Sequence, residues 1–209
     1  MKQSEITNFC YLGERDYVQG ATITNALIRL IPVWGIKNIT KISGYFNFLL
    51  KTQARYSLID AFEFVSYAMK SYPATFTLIS DKAKYFVLIS PEPISIINRK
   101  PYDDDSLINN FELDTIKREI SIYFCSSLPL FNYIIALNKR LLIHLLPIEG
   151  FGQWFLAKFE LDNFMHSTNI KGLLKLKLNS TVGGTTTRTI IEFRGQRIGT
   201  IFFSRGKLK

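Results

Sequence analysis

The sequence predicts an α+β protein in which one small unit, a helix followed by antiparallel strands, is written twice. Three observations carry that reading. An apolar helical stretch ending Leu30-Ile31-Pro32-Val33-Trp34-Gly35 is echoed by one ending Leu145-Leu146-Pro147-Ile148-Glu149-Gly150. Strand-like runs and a hairpin follow each, the first hairpin opening Thr75-Phe76-Thr77-Leu78-Ile79 and the second Thr187-Arg188-Thr189-Ile190-Ile191. The spacing holds along the chain: Pro147 follows Pro32 by 115 residues (147 − 32), Thr187 follows Thr75 by 112 (187 − 75) and Ser204 follows Ser90 by 114 (204 − 90). The expected organisation is a first unit over 1–92, a connection over 93–118 and a second unit over 119–209. One undivided α+β domain with a coincidental repeat is the alternative.

Residues 1 to 20 read as irregular, with short strands around Asn8–Leu12 and Asp16–Gln19. Thr22 or Thr24 caps a helix running to Ile31, on which Ile23, Leu27, Leu30 and Ile31 recur at helical spacing. Pro32 and Gly35 end it. Ile39 to Leu49 reads as a long strand and Ala61–Tyr67 as another. Thr75–Ser80 and Lys84–Ser90 flank Asp81-Lys82-Ala83, a hairpin turn. The stretch from Pro91 to Glu119, with Pro91, Pro93, Pro101 and the acidic run Asp103-Asp104-Asp105, breaks the pattern and connects the copies, with a strand near Ile94–Ile97.

The second copy opens with a strand from Glu119 to Cys125. Ser126 or Ser127 caps a helix that tolerates Pro129 in its first turn and runs to Leu146. Leu130, Ile134, Leu137, Leu141 and Leu145 form one stripe, and Ile135, Leu142 and Ile143 lie outside it, so protein should enclose this helix. Asn138-Lys139-Arg140 interrupts it and reads as a solvent-facing strip. Strands follow at Gln153–Leu161, Gly172–Asn179, Thr187–Phe193 and Arg197–Ser204, with turns at Gly183-Gly184 and Arg194-Gly195-Gln196.

Of the 209 residues, 47% are hydrophobic and 14% aromatic, enough for a real core and against global disorder. Seventeen Phe and ten Tyr favour strands. The net charge of +9 favours an acidic or phosphate-bearing partner, though a plain basic bias accounts for it equally. Cys10 and Cys125 have no metal-type spacing and sit beside aromatics, so they are expected to be buried thiols. The polar start has no signal-peptide core. The apolar window Leu128–Ile148 carries Asn138, Lys139, Arg140 and His144, which argues for a protein-buried helix against a membrane span. A soluble, cytoplasmic protein is expected.

A helix followed by an antiparallel sheet that wraps it resembles the hotdog fold, and two copies resemble a double hotdog. The stretches that carry the resemblance are Thr22–Gly35, Ile36–Leu50, Ala61–Tyr67 and Thr75–Ser90, then Pro129–Gly150, Phe151–Asp162, Leu173–Asn179 and Thr187–Ser204. The fold this implies is two antiparallel sheets, each around a central helix, joined as a pseudo-dimer. Monomer and homodimer both fit. The implied partners are acyl thioesters of coenzyme A or acyl carrier protein, and polyketide-associated double hotdogs share the architecture. No tightly bound cofactor is implied, since coenzyme A or phosphopantetheine arrives as part of the substrate.

The resemblance also implies that sites lie between the two units, near the start of each helix, where free N–H groups polarise a thioester carbonyl. Around the first helix the catalytic candidates are Asp16 as base or nucleophile and Tyr17 and Gln19 as donors to the oxyanion. Gly20, Thr22, Thr24 and Asn25 are the substrate-binding candidates there, and Asn132 and Tyr133 those in the second copy. Each residue alone reads as readily as a strand end, turn or cap. Hotdog dehydratases pair a histidine with a carboxylate. Here the first copy has no histidine, and neither His144 nor His166 lies at a helix start. Thioesterase, acyltransferase or decarboxylase chemistry therefore stands ahead of dehydration. A non-catalytic acyl- or carrier-binding module is the alternative, and a basic nucleic-acid-binding domain a further one, disfavoured by dispersed charge. No metal set, phosphate loop or Gly-x-Ser-x-Gly elbow appears.

Overall fold

The computed structural model describes residues 3–60, 69–125, 129–147, 153–162 and 171–206. Contacts divide them into two compact units, one running to Tyr102 and taking in Asp162, the other covering Asp103–Leu161 and the strands from Lys171 onward.

The first unit contains strands β1 (Gln3–Thr7), β2 (Tyr11–Leu12), β3 (Ile39–Phe46), β4 (Thr52–Asp60), β5 (Ala74–Ser80), β6 (Lys84–Ser95) and β7 (Arg99–Lys100), with helix α1 (Gly20–Val33). Its antiparallel sheet has the order β1-β4-β6-β5-β3, and β2 pairs separately with β7 in parallel. Ile23, Ala26, Leu27 and Ile31 of α1 are buried, the Ile and Leu side chains each contributing about 1.5–3 kcal/mol of apolar burial. Tyr56 is fully buried and its hydroxyl donates to the Ile23 carbonyl at 2.9 Å, tying β4 to α1.

The second unit contains α2 (Asp104–Leu107), β8 (Glu112–Asp114), β9 (Glu119–Cys125), α3 (Leu130–Leu145), β10 (Gln153–Asp162), β11 (Lys171–Val182), β12 (Thr186–Phe193) and β13 (Gln196–Gly206). Its sheet order is β10-β13-β12-β11-β9-β8, all antiparallel. Here β11, β12 and β13 are a true meander. Gly183 and Gly184, at φ 58° and 68°, turn the first hairpin, and Arg194 and Gly195, at 53° and 75°, turn the second. Phe131 of α3 packs on Phe159 at 4.7 Å, and Tyr133 meets Phe124 edge-on at 4.6 Å.

The repeat is thus looser than the sequence suggests. In the first unit β4 pairs with β6, and β6 with β5, so β4 and β5 run in the same direction. Burial records the difference. Along β11 and β12 buried residues alternate with less buried ones, as expected of a sheet covered on one face. In β5 and β6 buried residues run consecutively (Ala74–Phe76 and Phe86–Ile89), so both faces are covered.

Several local expectations need correction. Asp16–Gln19 is a bend with a single bridge from Val18 to Leu50, not a strand. Gln19 is the N-cap of α1, and neither Thr22 nor Thr24 caps it: Thr24 lies inside the helix and its hydroxyl donates to the Gly20 carbonyl at 2.8 Å. Pro32 sits within the last turn. The helix ends through the Ile36 N–H to the Ile31 carbonyl (3.2 Å) and the Gly35 N–H to that of Pro32 (3.0 Å), a closure that needs Gly35 at φ 69°. Strand β4 escaped the sequence reading, although Ala54-Arg55-Tyr56-Ser57-Leu58 alternates. The run Ala61–Tyr67 and the capping serines 126 and 127 lie outside the described residues.

Asn138-Lys139-Arg140 is not a solvent strip. Asn138 is fully buried, while Lys139 pairs with Asp104 at 3.1 Å and Arg140 with Asp105. The acidic run of the connection is therefore a docked helical turn, started by Asp103, whose carboxylate accepts from the Asp105 N–H at 2.9 Å. Both cysteines are free thiols; Cys10 is half-buried and Cys125 exposed instead of buried. Among the described residues no helix is long and apolar enough to cross a membrane.

Candidate functional site

The segment entering α1 is held from three sides. Tyr11 and Leu12 pair with Arg99 and Lys100. The Arg99 guanidinium donates to the Gly13 carbonyl and, at 2.9 Å, to the Arg15 carbonyl, and it lies over the Tyr11 ring at 5.3 Å. Gly13 permits this turn: its φ is 60°, and a Cβ there would stand 3.0 Å from the Tyr102 carbonyl. On another side the buried Gln53 amide brackets Phe9, accepting from its N–H and donating to its carbonyl at 3.2 Å. On the third, Val18 N–H donates to the Leu50 carbonyl at 2.8 Å and the Tyr11 hydroxyl to that of Lys51 at 2.7 Å.

On this frame the candidates take distinct places. Asp16 is exposed and paired with Lys51 at 2.9 Å; the hydrogen bond from that ammonium holds its carboxyl below the ordinary value. Tyr17 and Gln19 are buried. With its amide oriented to suit its neighbours, the Gln19 oxygen accepts from Arg15 Nε (2.9 Å) and Nη1 (2.7 Å), leaving the NH₂ group to donate. The Arg15 guanidinium also lies over the Tyr102 ring at 5.6 Å. Gly20 opens the helix. No side chain caps α1 and no acid lies in its first turn, so the first-turn N–H groups are without helical acceptors beside a positive dipole end. Thr22 and Asn25 are half-buried and Thr24 is buried.

The structure thus gathers Asp16, Tyr17, Gln19 and Gly20 at one helix start, with Lys51, Arg15 and Arg99 around them. Sequence reading missed Lys51, Gln53 and Arg99, which lie 35 to 83 residues from Asp16 (51 − 16 and 99 − 16) and carry no local signal. In the second unit, α3 starts at Pro129 as N-cap, again without a side-chain cap. Asn132 and Tyr133 are half-buried there, and the Asn132 N–H donates to the Pro129 carbonyl at 3.0 Å. His144 is satisfied within its helix, its Nδ1 donating to the Arg140 carbonyl at 2.8 Å. His166 lies outside the described residues. Among the described residues no group of three or more His, Cys, Asp or Glu is placed to hold a metal ion.

No protein-family model matches the sequence, and no curated protein matches it significantly. Solved structures do match along the whole chain. A Thermobifida fusca protein described as a thioesterase II superposes with a TM-score of 0.56 at 9% identity, over 99% of this chain and 92% of that one. A TesB protein of Mycobacterium avium subspecies paratuberculosis gives 0.55 at 8% identity, over 99% and 93%. The pyran synthase domain from module nine of the sorangicin pathway gives 0.53 at 11% identity, over 100% and 94%. At such identities the likeness concerns fold alone. Each unit's antiparallel sheet with its own long helix, and the match over the full length, make the chain a double hotdog protein by fold.

Proposed function

We propose that the chain acts on acyl thioesters of coenzyme A or acyl carrier protein, receiving the thioester carbonyl at the start of α1. The observation that carries this reading is the uncapped helix N-terminus flanked by Gln19 and Gly20 and ringed by Lys51, Arg15 and Arg99. Negative charge developing on a carbonyl oxygen is stabilised by such free N–H groups, and removal of one donor from an oxyanion site costs on the order of 10²-fold in rate. The Gln19 NH₂ group and the Tyr17 hydroxyl are the side-chain donors. Gly20 lets the thioester approach the backbone, while Thr22, Thr24 and Asn25 orient the acyl group. Asp16, ionised beside Lys51, is the base or nucleophile for hydrolysis or acyl transfer. Asn132 and Tyr133 are the corresponding binding residues at α3. Coenzyme A or phosphopantetheine enters as part of the substrate, and the cationic surroundings suit its phosphate. Fatty-acid or polyketide-type biosynthesis in the cytoplasm is the setting that goes with this chemistry.

The second reading is a binding module without turnover. It is favoured by the neutralisation of Asp16 in its ion pair, which makes this carboxylate a weak base. One experiment separates the two. Release of free thiol is followed with a panel of acyl-CoAs and acylated carriers, for the wild type, Tyr17→Phe, Gln19→Ala and Asp16→Ala. Turnover that falls about tenfold or more in the variants supports catalysis. A retained acyl ligand on native mass spectrometry, unchanged with time, supports the binding module. The absence of both turnover and retention would end the thioester reading.

A further inference from the structure

The first unit has a second candidate site, on the sheet face away from α1. Because Tyr56 reaches α1, alternation along β4 turns Ser57 and Ile59 to the opposite face. Cross-strand pairing then sets Ser4, Ser57, Leu88 and Thr75 in one row of that face, with Ser90 two residues beyond Leu88. Here a cavity of about 200 Å³ opens, lined by the hydroxyl-bearing residues Ser4, Ser57, Ser90 and Tyr72 and by Gln3. Ile59 and Leu88, 3% and 2% exposed, give it an apolar floor.

One polar atom beside it is unmatched. Thr75, next to Leu88 in the row and 1% exposed, has a hydroxyl with no hydrogen-bond partner among the described residues. A buried polar group left unmatched is costly, so a partner from outside the chain is favoured beside it. Among the described residues none of the lining side chains is charged. The nearest cation in register, Arg55 opposite Ser90, is neutralised by Glu92 at 2.7 Å.

We propose that this cavity binds a small uncharged molecule with an apolar body and a hydroxyl or amide group. An ion is disfavoured because no opposite charge among the described lining residues would repay its desolvation. A purely apolar guest is disfavoured because it would strip water from the serine hydroxyls of the lining and give them no partner in return. The volume suits on the order of ten non-hydrogen atoms at protein-like packing. Ser4, Ser57, Ile59, Leu88 and Ser90 lie on the opposite sheet face from α1, so the site is separate from the thioester reading and its test does not depend on it.

Benzyl alcohol serves as the probe, with benzoate and benzylamine as charged counterparts and toluene as the apolar one. Backbone amide shifts of the full chain are followed on titration. The expected result is saturable binding of benzyl alcohol, with shifts on Ser4, Ser57, Leu88 and Ser90, and about tenfold weaker binding of the other three. Ser57→Val and Ser90→Val, each checked for an unchanged fold by circular dichroism, should each weaken benzyl alcohol severalfold. Absence of saturation on the folded wild type overturns the proposal. So does equal binding of toluene, or shifts clustered elsewhere.

Discussion

The Tyr56 hydroxyl donates to the Ile23 carbonyl at 2.9 Å, joining the middle of β4 to the first turns of α1 where both residues are buried. Ile23 lies three residues beyond Gly20, so this bond fixes the helix end on which the thioester reading rests. Tyr56→Phe keeps the ring and deletes the bond. Chemical denaturation should show a loss of about 0.5–1.5 kcal/mol.

The same residue predicts alkaline behaviour. Burial pushes the Tyr56 hydroxyl well above its ordinary value, so above about pH 10 the unfolded chain loses this proton while the folded one keeps it. Stability then falls as pH rises past that value. The alkaline loss should be smaller in Tyr56→Phe than in the wild type, as measured by denaturation midpoints between pH 8 and 11.

Asp16 gives the opposite sign. Its carboxyl is held below the ordinary value by Lys51, so the pair's contribution is present at neutral pH and is lost as pH falls through the folded value. If ionised Asp16 carries the reaction, activity should persist through the usual carboxylate range. In Lys51→Met the acid limb of the pH–rate profile should move upward. An unmoved limb would assign the acid limb to another group.

Lys139 and Asp104 form an ion pair with side-chain exposures of only 21% and 18%. Asp104→Asn should cost about 1–2 kcal/mol, because it weakens a charge-assisted bond away from bulk water. The exposed pair Lys117–Asp114 should matter less, and Lys117→Ala should change stability by under about 0.5 kcal/mol. Urea midpoints of the two variants test the contrast.

Asn138 stands on the core stripe of α3 with both amide atoms lacking partners among the described residues. Asn138→Leu should raise the melting temperature by several degrees, since exchanging an unsatisfied amide for an apolar group recovers about 1–3 kcal/mol. Gly199→Ala should do the reverse. Its Cβ would lie 2.2 Å from the Glu160 carbonyl, a backbone atom of β10 that cannot swing away. A melting scan of each variant decides.

The signals that specify individual strands and turns are local. The segment Glu119–Cys125 matches β9 to the residue, and the hairpins at Asp81-Lys82-Ala83 and Arg194-Gly195-Gln196 form as expected. Their signals lie in adjacent residues: alternation, and turn residues such as Arg194 and Gly195 that adopt positive φ. At the site, Asp16, Tyr17, Gln19 and Gly20 were legible as a polar cluster before an apolar helix. Their partners were not, because Lys51, Gln53 and Arg99 arrive from other strands.

The sequence by itself determined that the chain holds two long apolar helices, each followed by strands, since periodicity and turn chemistry act within a few residues. Tertiary structure alone decided that β4 pairs with β6, that Asp104 and Asp105 dock on α3, and that Asn138 faces the core. Those outcomes depend on which distant surfaces bury one another, and no short stretch of chain encodes that competition.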